Sequence, residues 1–460
     1  MVSSDLQGVK RVEPTEVTEA GRRFERSRAA AARLRELVPG GAHTYAKGPD
    51  QYPLDCAPVI ARGKGARVWD VDGNEYVEYG AGLRAVILGH AHPAVDEAVT
   101  RALAGGVNFV RPGIAELEAA EAFLDAVPTM EMVKFAKNGS DVTTAAAKLA
   151  RAATGRDLVA VCADHPFFST DDWFIGTTPM DAGIPEAVSG LTVTFPYGDL
   201  EATAAMFDAH DGKIAALFLE VETAHTPAPE GYLAALVELA HSRGALVVFD
   251  EMITGHRWAL EGAHGLAGVT PDLATFGKAI GNGFSVSALG GRRDLMRLGG
   301  VDTDIDADRV FLLSTTHGAE VTGLAALQAT IDVHRREGVA EALMDRGARV
   351  RAAVEQVVAA AGLSDYVTVS GRDCNLVFGT RDGEGNASQG FRTLFMRQLI
   401  LNGVLGPSFV VSTALTDEDV ERTAAAVAAA MPAYAAALDS GDPSPWWGGP
   451  SVQPVFRRRA

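Results

Sequence analysis

From about residue 93 onward, runs of ten or more helix-forming residues alternate with short apolar stretches. These stretches are 131-EMVKFAKNG-139, 158-LVAVCAD-164, 191-LTVTFPY-197, 214-IAALFLE-220, 245-ALVVFDE-251 and 273-LATFGKA-279. Such alternation predicts βαβ units and a mostly parallel sheet covered by helices on both faces, an α/β fold. Upstream, 17-VTEAGRRFERSRAAAARLRELVPGG-41 predicts a helix stopped by Pro39 and two glycines. Two alternating apolar runs around Asp72-Gly73-Asn74, within residues 66–82, predict a hairpin. After about residue 325 the pattern turns helical again, then gives a strand at 374-CNLVFGT-380 and a long alanine-rich helix over 417–439. That C-terminal part predicts a second, smaller α+β domain. No internal repeat or low-complexity linker interrupts the chain.

A chain of 460 residues is long enough for more than one domain on the usual scale of about 100–200 residues each. A net charge of −18 argues against a nucleic-acid partner and suits a cationic substrate. Cys56, Cys162 and Cys374 are odd in number, far apart and without metal-ligand spacing, so neither a disulfide framework nor a metal site is expected. The N-terminal MVSSDLQGVKRVEPTEV lacks the apolar core of a secretory signal, and no run of about eighteen apolar residues occurs. The expected compartment is the cytoplasm, with no membrane partner.

In open parallel sheets, ligands bind beyond the carboxyl ends of the strands. Charge gathers there: Glu220 ends one predicted strand, Asp250 and Glu251 end another, and Lys278 follows a third. One strand-end acid is readily a helix cap or a solvated group. Three strand ends and a lysine in apolar surroundings point further, because a lone buried charge is expensive and usually has a partner or a job. A strand leading into Asn138-Gly139-Ser140-Asp141 and then a helix places free N–H groups and a hydroxyl at a helix start, a ready anion site that is also an ordinary N-cap. A phosphate cradle, a strand-end carboxylate and a desolvated lysine together describe a site for pyridoxal 5′-phosphate.

The stretch PDLATFGKAIGNGFSVSALGGRRDLM resembles the lysine motif of the class III, fold-type I pyridoxal-phosphate aminotransferases. VPGG at 38, GKGARVWDVDGNEYVEYGAG at 63, ILGHAHPAV at 87, LVVFDEMITGHR at 246, STTHGAE at 314 and the ending SVQPVFRR resemble the branch that contains glutamate-1-semialdehyde aminomutase. The resemblance implies a large cofactor-binding domain over about 86–325, and a small domain built from residues 1–85 and 326–460. It implies that Lys278 carries the cofactor as a Schiff base and then shuttles a proton. Asp250 would partner the pyridine nitrogen, Met252 would pack on one ring face, and Phe167 would stack on the other unless it is ordinary core. Gly139 and Ser140 would hold the phosphate, completed by Thr315 of a neighbouring subunit in a homodimer. Glu220 matches the strand-end glutamate, with Val221 where the branch has proline, and His225 falls near the cofactor's phenolic oxygen or is a satisfied core histidine.

Departures from the branch bear on the substrate. Lys47 stands where the aminomutase has a carboxylate-binding arginine, and a lysine lacks the bidentate fork. Gly82-Leu83-Arg84 replaces a Ser-Trp-Gly block, and a glutamate-bearing insert is missing around 406-GPSFVVS-412. The segment 299-GGVDTDIDADRVF-311 carries Asp302, Asp304, Asp306 and Asp308, which make either a solvated loop or a lid that attracts a polycation, as would Asp171 and Asp172. The resulting expectation is an aminotransferase that takes an amino group from an amino acid donor, glutamate or glutamine, to a carbonyl on an amino-sugar or aminoglycoside-type acceptor in secondary metabolism. Aminomutase, epimerase or lyase chemistry on the same fold is the second reading.

Overall fold

Seven strands form the central sheet of the larger of two compact units in this computed structural model, which describes residues 23–302 and 304–458. In chain order they are β1 (Met132–Ala136), β2 (Leu158–Cys162), β3 (Thr192–Phe195), β4 (Ile214–Glu220), β5 (Leu246–Asp250), β6 (Leu273–Phe276) and β7 (Ser287–Gly291). Their spatial order is β1-β7-β6-β5-β4-β2-β3. All neighbouring pairs are parallel except the two made by β7, which runs antiparallel to both β1 and β6. The six strands predicted from apolar runs are present. The seventh, Ser-Ala-Leu-Gly-Gly, has little intrinsic strand preference and owes its place to ladders on both sides.

All seven residues of β4 are buried, as expected for a strand covered on both faces. The helices of this unit include α1 (Gly139–Thr154), which leaves the end of β1, and α2 (Val321–Glu337). Leu324, Leu327 and Ile331 of α2 share a core cluster with Phe123, Phe276 and Ile280. The unit takes Gly82–Ile87, His92–Ala340 and the described residues from Phe456 on.

The second unit takes the described residues up to Ala81, Leu88–Ala91 and Glu341–Val455, so it draws on widely separated parts of the chain. The predicted hairpin pairs Arg67–Asp70 with Glu75–Glu78. Its turn is organised by Asp70, whose carboxylate accepts the N–H groups of Asp72 (3.0 Å) and Asn74 (2.8 Å) and the hydroxyl of Tyr76 (2.8 Å). Val404–Leu405 adds in parallel to the Glu75–Glu78 strand, although nothing in a two-residue strand could be read in advance. The first predicted helix is observed over Glu25–Leu37, and the part of that prediction before residue 23 lies outside the described residues. The alanine-rich helix spans Asp417–Ser440 behind a Thr416/Asp419 capping box. Among the described residues, no helix is long and apolar enough to cross a membrane.

Candidate active site

Strand register does the first part of the assembly. Glu220 of β4 pairs with Asp250 of β5, and Asp250 pairs with Thr275 of β6, so three polar side chains form one row at the carboxyl end of the sheet. Lys278 lies three positions after Thr275 and opens a short 3-10 turn, Lys278–Gly281, with φ of 47°. A lysine in the left-handed region is uncommon, and strain of this kind collects at functional sites.

Alternation along a strand separates the two adjacent acids. Asp250 lines a cavity of about 550 Å³ and accepts the Met252 N–H at 2.8 Å. Glu251 is fully buried elsewhere and clamps the loop after the strand. It accepts the N–H groups of Ala263 (3.0 Å) and His264 (2.8 Å), the hydroxyl of Thr254, and Nδ1–H of His264 (2.8 Å). That leaves Nε2 of His264 to accept the Thr129 hydroxyl at 2.7 Å. At Gly262, φ is 103° and a Cβ would stand 2.8 Å from the Glu251 carboxyl carbon, so both backbone and space demand glycine. Glu251 is therefore a structural clamp beside the site.

The start of α1 forms another wall of the cavity. The Asn138 side chain accepts the Asp141 N–H at 3.1 Å, while Gly139 and Ser140 occupy the first two helical positions, whose N–H groups have no intrahelical acceptor. Ser140 Oγ accepts the Thr170 N–H at 2.9 Å, which leaves the hydroxyl proton to donate to a ligand. Met252 is wedged between Gly139 and Gly277. A Cβ on either glycine would come within 3.0 Å and 2.6 Å, respectively, of its sulfur. Phe167, Phe168, Thr170 and Lys278 line the same cavity.

Burial sets the electrostatics. It pushes the Asp250 carboxyl up to about 7 against the opposing pull of Lys278. Glu220 is pushed up to about 8 by burial and by Asp250. Burial lowers Lys278, with Asp250 and Glu220 opposing. Burial thus drives each of the three toward its neutral form, and the two carboxyls can hold or release a proton near neutral pH.

Glu220 is open to a pH test. Its folded-state value lies above its unfolded one, so its contribution to stability is present below about 4.5 and is lost as pH rises through about 8. Glu220→Gln cannot titrate. The melting temperature of the cofactor-free variant relative to wild type is expected to rise by about 2 °C or more between pH 5 and 9. A difference that stays flat or falls over that range, measured by thermal melts, contradicts the assignment.

The structure gathers Gly139, Ser140, Phe167, Asp250, Met252 and Lys278 around one cavity, with Glu220 beside Asp250 in the strand row. Arg84 is partly buried, which lowers its guanidinium with Glu220 opposing, and its carbonyl accepts Nη2–H of the fully buried Arg257 at 3.2 Å. Gly82, Leu83 and Arg84 hold φ of 57°, 61° and 71°, a left-handed turn. His225 is exposed on the loop after β4, outside the cavity lining. Thr315 is likewise exposed, and Lys47 is an exposed residue of the smaller unit. Among the acidic-loop residues, Asp302 (2.8 Å) and Asp304 pair with Arg297, and Asp171 accepts the Thr144 hydroxyl at 2.5 Å.

Sequence reasoning missed His165. It is buried, its Nδ1 accepts the Glu220 N–H at 2.9 Å, and Nε2 meets the Thr226 hydroxyl at 3.3 Å. Burial holds it down at about 4, so it stays neutral and fixes the end of β4. Its position three residues past the end of β2 was the available signal.

These residues fit pyridoxal phosphate: bare N–H groups and a hydroxyl for a phosphate, a buried carboxyl that can hold or release a proton, and an enclosed amine. Together with the sheet order they define a fold-type I pyridoxal-phosphate enzyme. The family model described as "Aminotransferase class-III" matches residues 50–371. The chain is 33% identical to the glutamate-1-semialdehyde 2,1-aminomutase of Roseiflexus castenholzii over 429 residues, covering 88% of this chain and 97% of that protein. It is 38% identical over 292 residues to the protein of that name from Chloroflexus aurantiacus, covering 60% of this chain and 65% of the relative, just under two thirds of its length. An omega-transaminase from Sphaerobacter thermophilus superposes with a TM-score of 0.77 at 29% identity, over 91% of this chain and 98% of that one. A beta-phenylalanine aminotransferase from Variovorax paradoxus gives 0.74 at 27% identity, over 88% and 93%. The chain belongs to the class III aminotransferase family, and its cofactor is pyridoxal 5′-phosphate.

Proposed function

We propose that this protein is an aminotransferase that takes the amino group of an amino acid, glutamate or glutamine, and delivers it to an aldehyde or ketone on a polar, amino-sugar-type acceptor. The observation that carries the reaction type is the shared cavity of Lys278, Asp250 and the α1 start, with the amine and the carboxyl both desolvated. When bound, the cofactor supplies an electron sink for the pair left behind as the substrate's Cα–H bond breaks. Lys278 Nζ, its basicity lowered by burial, would accept that proton and hold it for return to the reacting molecule. Asp250 holds its charge or proton at the pyridine nitrogen, and Gly139, Ser140 and the start of α1 hold the phosphate. Met252 and Phe167 would orient the ring, and Arg84, whose charge reaches Glu220 and Lys278, would offer a cation for the donor's carboxylate.

Thr315 completes the phosphate site of a second subunit in a homodimer. Its exposure, and that of Phe109, Val110 and Phe311, supports this reading, as does the Asn108 amide bonded to the Thr316 carbonyl at 3.0 Å. Three free, buried cysteines agree with a reducing compartment, and we place the enzyme in the cytoplasm.

The acceptor assignment rests on acidic residues of the 299–311 loop. Arg297 pairs with two of them and Arg309 lies in the same loop, so a partial acidic excess remains, with Asp306 and Asp308 exposed, to attract a cationic sugar. Incubating the amino form of the cofactor-loaded enzyme with oxidised aminoglycosides is expected to restore the visible absorbance of the aldehyde form, and glutamate semialdehyde is expected to do so poorly. Restoration by the semialdehyde alone removes the amino-sugar assignment. The likeness to aminomutases favours a second reading, isomerisation of a single substrate, which is distinguished by turnover without any added amino acid donor.

A further inference from the structure

Phe167 lines the cavity yet remains 42% exposed. Its backbone neighbourhood is fixed to α1. The Phe168 carbonyl accepts the Thr143 hydroxyl at 2.8 Å, and the Thr170 N–H bonds Ser140 Oγ at 2.9 Å. Its ring packs against two other rings. Phe174, on the short helix Asp172–Ile175, meets it edge-on at 5.7 Å and 80°. Phe456 lies nearly parallel to it at 6.4 Å and 23°.

Phe456 is 289 positions away in sequence (456 less 167) and begins the last stretch of chain that packs with the larger unit. Everything from Glu341 to Val455 packs in the smaller one. An exposed phenylalanine spreads over several staggered rotamers unless something selects one. Phe174 meets the ring nearly at right angles and Phe456 lies nearly parallel to it, so the two contacts together restrict the plane in which the ring can lie.

We propose that Phe456 is a positioning residue of the cofactor site, acting through Phe167: it holds the Phe167 ring in the orientation in which it packs against the pyridoxal ring. This rests on the reading that Phe167 contacts the cofactor. An aromatic pair of this kind is expected to carry a coupling of about 2- to 10-fold in an equilibrium constant.

The test is a double-mutant cycle read as the dissociation constant for pyridoxal phosphate, titrated by absorbance into cofactor-free full-length protein. Phe456→Leu keeps apolar bulk and loses the flat face. It is expected to weaken binding about 2- to 10-fold, Phe456→Trp to restore it, and Phe456→Leu to have no further effect once Phe167 is alanine. An effect under about 1.5-fold, or the same effect in both backgrounds, overturns the proposal. Failure of the underlying site is separately visible, because then wild type would not be fixed at Lys278 by pyridoxal phosphate and borohydride, or Phe167→Ala alone would leave binding unchanged.

Discussion

Lys278→Ala is expected to give a folded protein with no visible cofactor absorbance after dialysis and a kcat reduced by at least about 10³-fold. The fold is expected to survive because the substitution removes a desolvated amine and leaves the Phe276 core intact. Asp250 and Glu220 lose an amine whose pull opposes burial, and both are already held toward their protonated forms by burial. The start of α1 is untouched, so pyridoxal phosphate is expected to bind reversibly, without the covalent hold. Circular dichroism, absorbance and turnover of the same preparation check this, and a well-folded variant working at the wild-type rate would return Lys278 to an ordinary strand-end role.

Asp250→Asn is expected to separate chemistry from binding. Asparagine preserves the size of the side chain and can still accept the Met252 N–H, so the local fold should hold. It cannot carry the charge that keeps a pyridine nitrogen protonated. A loss of about 10²- to 10⁴-fold in kcat is therefore expected, against a loss of about tenfold or less in cofactor affinity. A variant that lost affinity and kept kcat would mean that Asp250 only anchors the ring.

The two carboxylates at the end of β5 show how far a linear reading goes. Period-2 alternation implies that Asp250 and Glu251 face opposite ways. It does not say which one faces a ligand. The answer depends on the loop from 252 to 264 folding back so that Ala263 and His264 donate to Glu251. Lys278 was legible for a different reason. A cation in an apolar run is chemically conspicuous wherever it stands, and so is a helix start of Asn-Gly-Ser-Asp after a strand. His165 was not conspicuous, because its role comes from a backbone N–H contributed by a strand 55 residues away. The strand Ser287–Gly291 escaped for a related reason, since small residues carry no hydrophobic signal and its identity lies in its neighbours' ladders.

By itself the sequence determined the α/β class, six of the seven sheet strands, and the amine, acid and helix start that call for pyridoxal phosphate. These are local properties, written in hydrophobic period, residue chemistry and short spacing. Tertiary structure alone decided that Glu220, Asp250 and Thr275 share one row, that Met252 is wedged between Gly139 and Gly277, and that Phe456 lies against Phe167. Strand register and close packing between distant segments are set by the summed fit of the whole core, which no short window of sequence contains.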